Sequence, residues 1–152
     1  MQRFLVFACL AFAFAATPSF AKDHRLPFKP VTGAFFGLSV PNMAQSRQWY
    51  TEKLGLAVVF ELASPQVTVL EGGGLIVELI HDPAATPGPV EPASQHGVFK
   101  AGFVVKDFDS AVDELRARGV TIAFGPFPEH NGQRANVLIR DNAGNLIQIF
   151  GD

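Results

Sequence analysis

The chain offers few side chains suited to covalent chemistry. Its only cysteine, Cys9, lies in an apolar N-terminal segment. Removal of that segment would leave no thiolate to act as a nucleophile or metal ligand. The sequence also lacks a nucleophile elbow, a phosphate-binding glycine loop and an H-E-x-x-H zinc helix. Any chemistry must therefore come from charged groups, amides or imidazoles that the fold brings together.

The four histidines and Arg134 are the first such groups to weigh. The histidines, at positions 24, 81, 96 and 130, are scattered and show no metal-binding spacing. We interpret each histidine as a surface residue rather than a metal ligand. Arg134 begins a predicted strand and could clamp a carboxylate or phosphate of a ligand. An exposed structural arginine is the alternative interpretation.

The elements that must position these groups occur twice. FFGLSVPNMAQSRQWYTEKLGL, from Phe35, is answered roughly 65 residues later by KAGFVVKDFDSAVDELRARGV, from Lys100. Each predicts a strand, an amphipathic helix and a glycine stop. A later apolar strand closes each half, GLIVELI from Gly74 and GNLIQIF from Gly144. The pattern indicates a duplicated βαβββ module.

Local signals place both helices. Asn42 with Gln45 three residues later is typical of a helix start, and Gly55 of its end. Asp107 and Gly119 play the same parts in the second half. In a strand–helix–three-strand unit the helix covers one face of a small sheet and leaves the other face free. The predicted fold is an α+β domain of two βαβββ modules that form curved mixed sheets around a central cavity.

Residues 1–21 predict an export signal. Arg3 precedes an apolar run that is short for a membrane span, and Ser19, Phe20 and Ala21 fit a small-x-small cleavage site. The expected product is periplasmic or secreted, without a stable membrane anchor. The remaining chain divides into an arm (22–32) and one domain (33–152). The domain has module one at 33–80, a proline-containing linker at 81–97 and module two at 98–151.

Composition excludes one class of partner. The formal net charge is −2 and no basic run occurs, which argues against nucleic-acid binding. Ten of the 15 phenylalanines lie beyond residues 1–21, and they suffice for a large core or could equally line an apolar pocket.

The repeated pattern resembles the vicinal oxygen chelate superfamily, which includes glyoxalase I, extradiol dioxygenases and bleomycin-resistance-type binding proteins. The resemblance rests on both module starts, both module ends and the closing RDNAGNLIQIF. It implies the paired-module fold with a shared cavity, and a homodimer. In metal-using members a histidine opens each module and a glutamate lies in its last strand. The matching positions here are Phe35, Glu78, Lys100 and Gln148.

Of the residues at these four positions, only Glu78 is of the type that the metal-using members have there. Phenylalanine has no lone pair to donate, and a lysine ammonium repels a cation. We therefore expect no cofactor. A divalent metal in a rearranged site that uses His96 or His130 with Glu78 is the alternative. If Lys100 and Glu78 both point inward, an ion pair could stand where the metal would lie.

Three functions remain open on these grounds. The first is a metal-free binding protein whose cavity, lined by Phe35, Glu78, Lys100 and Gln148, holds a small apolar or aromatic molecule. The second is an enzyme of the superfamily (a lyase, isomerase or dioxygenase) with Lys100 and Glu78 as catalytic candidates. The third is a structural or partner-binding domain with a vestigial cavity.

Overall fold

A computed structural model describes residues 35–86 and 97–152 of the chain. The predicted signal peptide, the arm and most of the linker lie outside these residues, as do Cys9, His24 and His96. Neither helix of the described residues has the length and apolar composition needed to cross a membrane.

Two copies of the same element order follow one another along the chain. The first copy is β1 (Phe35–Val40), α1 (Met43–Leu54), β2 (Ala57–Ala63), β3 (Gln66–Gly72) and β4 (Leu75–His81). The second is β5 (Ala101–Val105), α2 (Phe108–Ala117), β6 (Thr121–Phe127), β7 (Asn136–Arg140) and β8 (Leu146–Gly151).

Each copy forms one four-stranded mixed sheet. The strand orders are β1-β4-β3-β2 and β5-β8-β7-β6. The first strand of each module runs parallel to the last, and the other neighbours are antiparallel. The predicted α+β duplication is confirmed.

The helix ends form as their local signals predict. The side chain of Asn42 accepts a hydrogen bond from the Gln45 amide at 3.1 Å, and Asp107 accepts one from the Ser110 amide at the same distance. Gly55 has a φ of 72°, in the left-handed region that favours glycine, at the end of α1.

Two strand limits in the second module bear on the site. Strand β5 begins at Ala101, so Lys100 immediately precedes the strand. Strand β6 continues to Phe127. Gly125 and Pro126 interrupt the pairing, because proline has no amide to donate, and pairing with β7 resumes at Phe127.

A single apolar core joins the two modules. It contains the helix residues Met43, Tyr50, Val112 and Leu115 together with the helix-side strand residues of both sheets: Val40, Leu70, Val77, Leu79, Val137, Ile139, Ile147 and Ile149. The opposite faces of the sheets remain on the outside, and the sheets do not close on each other. The expected cavity between the modules is therefore not enclosed within one chain, because the faces that meet are the helix-covered ones.

Helix α1 of the first module is fastened to the turn between β7 and β8 of the second. The Tyr50 hydroxyl donates to the Asp141 carboxylate at 2.8 Å, and both residues are buried. The Asn142 side-chain amide donates to the Ser46 hydroxyl at 3.1 Å. Asp141 also accepts from the backbone amides of Ala143 and Asn145. This carboxylate therefore closes its own turn and connects the modules.

Candidate functional site

The uncovered face of the first sheet is mainly apolar and carries Glu78 near its centre. Alternation along the strands separates this face from the helix side. In the strand pairing Glu78 lies opposite Gly37 on one side and Val69 on the other. The other large side chains of the face are Phe35, Phe60, Leu62, Val67, Ile76 and Ile80.

The uncovered face of the second sheet carries a chain of polar groups. The Lys100 ammonium donates to the side-chain oxygen of Gln148 at 2.5 Å. The Gln148 side-chain nitrogen donates in turn to the Asn136 side-chain oxygen at 3.1 Å. Gln148 is only 8% exposed. Its side chain is thus fixed at both ends, and it holds the ammonium of Lys100.

A shallow groove of about 290 Å³ lies over this chain of polar groups. Its lining residues are Lys100, Ala101, Gly102, Phe103, Val104, Gln148 and Phe150. The Lys100 nitrogen also lies 5.4 Å from the centre of the Phe99 ring. The groove therefore combines apolar walls with one cation and one buried amide, which is the composition of small-molecule sites.

The structure brings some predicted site residues together and separates others. Lys100 and Gln148 are in contact, whereas Phe35 and Glu78 lie on the other sheet. None of the ion pairs in the described part of the chain joins Glu78 to Lys100. The ion pair expected between them is not formed within one chain, because their two sheet faces do not meet.

Arg134 is engaged at the C-terminus. Its guanidinium donates to the Gly151 carbonyl oxygen at 3.3 Å and lies 3.6 Å from the Asp152 carboxylate. Nearly half of its side chain remains exposed. These contacts show that Arg134 holds the C-terminal residues. Its binding of a ligand carboxylate or phosphate stays a prediction.

Comparison with known proteins identifies the family. The model of the Glyoxalase/Bleomycin resistance protein/Dioxygenase superfamily matches residues 33–149. The chain belongs to this superfamily. The family resemblance seen in the sequence is thereby confirmed.

Three proteins similar to this chain share at most 29% identity with it over the matched part. An uncharacterised protein of Mycolicibacterium smegmatis is 29% identical over 113 residues, which cover 74% of this chain and 87% of that protein. A glyoxalase/dioxygenase from Nostoc punctiforme has a TM-score of 0.67 at 23% identity, with 86% of this chain and 97% of that one covered. A mutant of the fosfomycin resistance protein FosX from Listeria monocytogenes, complexed with Mn(II) and 1S,2S-dihydroxypropylphosphonic acid, has a TM-score of 0.59 at 13% identity, covering 81% and 93%. At these identities the structures support the fold alone.

The superfamily's metal centre does not fit the residues at its four usual positions. The side-chain oxygen of Gln148 accepts from the Lys100 ammonium, so this oxygen already has a cationic partner within the chain. Phe35 and Glu78 together supply one carboxylate. Among residues 35–86 and 97–152, no group of three or more His, Cys, Asp or Glu side chains is placed to hold an ion. His130 is exposed in a turn, and its backbone pairs with Gln133.

Sequence reasoning missed Asn136 as a member of the site. Asn136 starts β7 and pairs with Phe150, which places it on the same face as Gln148. The signal was available in the strand alternation, since a polar residue at an uncovered-face position next to Gln148 needs a partner. It was overlooked because no family ligand position falls on β7.

Two glycines lie at matching places in the two sheets, Gly37 opposite Glu78 and Gly102 opposite Gln148. We expect Gly102→Ala to destabilise the fold by about 1 to 3 kcal/mol. Its Cβ would lie 2.7 Å from the Gln148 carbonyl oxygen, so β5 would have to move away from β8. In Gly37→Ala, the matched control, the nearest atom is the end of the flexible Glu78 side chain at 3.4 Å. Urea unfolding measures both, and equal losses would contradict the close approach at Gly102.

Proposed function

We propose that the protein is an exported, metal-free small-molecule binding protein whose site is centred on Lys100 and Gln148. The observation that carries this proposal is the 2.5 Å hydrogen bond from the Lys100 ammonium to Gln148 at the floor of an apolar groove. Lys100, a cationic residue, occupies a position at which metal-using relatives of the superfamily have a metal ligand. In a homodimer, which the family resemblance implies, the uncovered face of the first sheet with Phe35 and Glu78 would supply further walls.

The hydrogen bonds at Lys100 indicate what the site recognises. An ammonium has three donors, and within residues 35–86 and 97–152 Gln148 accepts from one of them. Two donors remain for a carbonyl or carboxylate oxygen of a ligand, and a charged donor strengthens such a bond. Val104 and Phe150 offer apolar surface beside the ammonium. The best-fitting ligand is a small apolar or aromatic compound with one oxygen acceptor.

A thermal-shift screen in EDTA tests this function. We expect aromatic carboxylates and carbonyl compounds to raise the melting temperature of the unmodified protein, and Lys100→Ala to abolish the shift. Lys106→Ala is the matched control, because Lys106 is an exposed lysine just beyond β5. Retention of the shift in Lys100→Ala would contradict the proposal.

The same screen with divalent metals addresses the enzyme alternative. Stabilisation that requires zinc, nickel, manganese or iron, or one equivalent of such a metal in the purified protein, would favour a metal-dependent enzyme of the superfamily. A protein that responds to neither metals nor small molecules would act as a structural or partner-binding domain.

Export is the part of the proposal supported by residues 1–21. Their basic start, apolar run and small-residue cleavage site are the features of a secretory signal. The intact mass of the protein in the exported fraction tests this directly, since a processed chain would begin at Lys22.

A further inference from the structure

The hairpin between β6 and β7 ends in an exposed two-residue turn. His130 and Gln133 form an isolated β-bridge, with backbone hydrogen bonds of 3.1 and 2.9 Å between them. Asn131 and Gly132 lie at the tip, with φ angles of 50° and 76°. Both angles are positive, as in the type I′ turn that the Asn-Gly dipeptide favours. The fold therefore presents an asparagine followed by a glycine at a tip that is exposed to solvent.

Asn131 differs from the other asparagines in two respects. It is the only one of the five that is followed by glycine. All five lie in the part of the chain that the structure describes, and there Asn131 is the only asparagine whose side chain makes no hydrogen bond. The side chains of the other four each have a partner: Asn42, Asn136, Asn142 and Asn145. The side-chain amide of Asn131 can therefore rotate towards the main chain without breaking a contact.

The backbone amide of Gly132 is accessible to that side chain. Within residues 35–86 and 97–152 it donates no hydrogen bond. A Cβ placed on Gly132 would meet no atom within 4 Å, so the tip has open space around it. Between Phe127 and Asn136, a stretch that the structure describes in full, the two sides of the hairpin pair only at the bridge. Local opening of such a tip costs little free energy.

We propose that Asn131 is a modification site, at which the protein deamidates spontaneously through a succinimide formed with Gly132. The Gly132 nitrogen bonds to the side-chain carbonyl carbon of Asn131. The side-chain nitrogen leaves as ammonia, together with the proton of the Gly132 amide. One water molecule then opens the ring at either of its carbonyl carbons. The products are aspartate and isoaspartate, in which a carboxylic acid replaces the side-chain amide.

The products change the tip in charge and in length. Either product adds a carboxylate close to Glu129, which is also exposed. In isoaspartate the main chain runs through the side-chain carbon, which inserts one methylene group into the turn. The hydrogen bonds between His130 and Gln133 depend on a two-residue loop, so we expect the longer connection to break them. This inference is independent of the proposed function, since it involves neither Lys100 nor Gln148.

Peptide mass mapping of the unmodified protein, after incubation at mildly alkaline pH, tests the inference. We expect Asn131 to be converted while the other four asparagines stay intact. Asn142 is the matched control within the chain. It is also exposed and lies in a turn before the small residue Ala143, but its side-chain amide donates to Ser46. No conversion of Asn131, or conversion of Asn142 at the same rate, would overturn the inference.

Gly132→Ala distinguishes the succinimide route from direct hydrolysis of the side chain. The added methyl group hinders the attacking nitrogen, so conversion of Asn131 should slow at least about tenfold. The melting temperature of the variant checks that the fold is kept, since Gly132 has a positive φ. Hydroxylamine cleaves a chain at a succinimide and needs no variant, and it should cut the unmodified protein after residue 131. An unchanged rate in Gly132→Ala, or no cleavage by hydroxylamine, would contradict the proposed route.

Discussion

Asp141→Ala is expected to destabilise the fold by about 3 kcal/mol or more, because it leaves the buried Tyr50 hydroxyl and three partly buried donors without an acceptor. The carboxylate accepts from the Tyr50 hydroxyl at 2.8 Å, from the Ala143 amide at 2.9 Å, and from the backbone and side chain of Asn145 at 2.8 Å. Its loss would open the turn between β7 and β8 and release α1 from the second module.

Urea unfolding followed by the fluorescence of Trp49, the only tryptophan, measures this loss. Asp113→Ala is the control, since Asp113 is an exposed aspartate on α2 whose replacement should change the free energy of unfolding by less than about 0.5 kcal/mol. Similar stabilities for the two variants would show that Asp141 does not connect the modules.

The second large effect is a loss of stability at alkaline pH. Burial, the negative charge of Asp141 and the hydrogen bond to it raise the pKa of the Tyr50 hydroxyl far above its ordinary value of 10.0. A group whose pKa is raised by folding stabilises the fold below its unfolded pKa and loses that contribution as the pH rises further. We therefore expect the free energy of unfolding to fall above pH 10 by up to about 1.4 kcal/mol per pH unit from this group.

Tyr50 is the only tyrosine, so the near-ultraviolet absorbance of tyrosinate reports this hydroxyl alone. Its ionisation should coincide with unfolding, as followed by circular dichroism. Tyr50→Phe, although less stable at neutral pH, should show a shallower decline above pH 10. Reversible ionisation near pH 10 in the folded protein would contradict the buried hydrogen bond.

Much of the fold could be predicted because its signals are local. Asn42, Asp107 and Gly55 end or begin helices through contacts within a few residues, which a sequence pattern records directly. The family resemblance named Lys100 and Gln148 as members of one site, and the parallel pairing of β5 with β8 brings them into contact. The contact between these two residues was therefore within reach of the sequence.

The relation between the modules was not predictable in this way. Strand alternation separates two faces of each sheet but does not say which faces meet, so the sequence could not show that the two sheets stay unclosed within one chain. The role of Asp141 in connecting the two modules was also not predictable from the sequence. The residues of the DNAGN segment predict a turn. They do not predict that α1 packs against this turn, which buries Asp141 as the hydrogen-bond partner of Tyr50.

The measurement that tests the central claim most directly is calorimetric titration of the protein with an aromatic carboxylate from the screen, carried out in EDTA. The account predicts binding of one ligand per chain without metal, and at least about tenfold weaker binding by Lys100→Gln, which loses a charged donor. Binding that appears only when a divalent metal is added, or that is equally strong in Lys100→Gln, would contradict it.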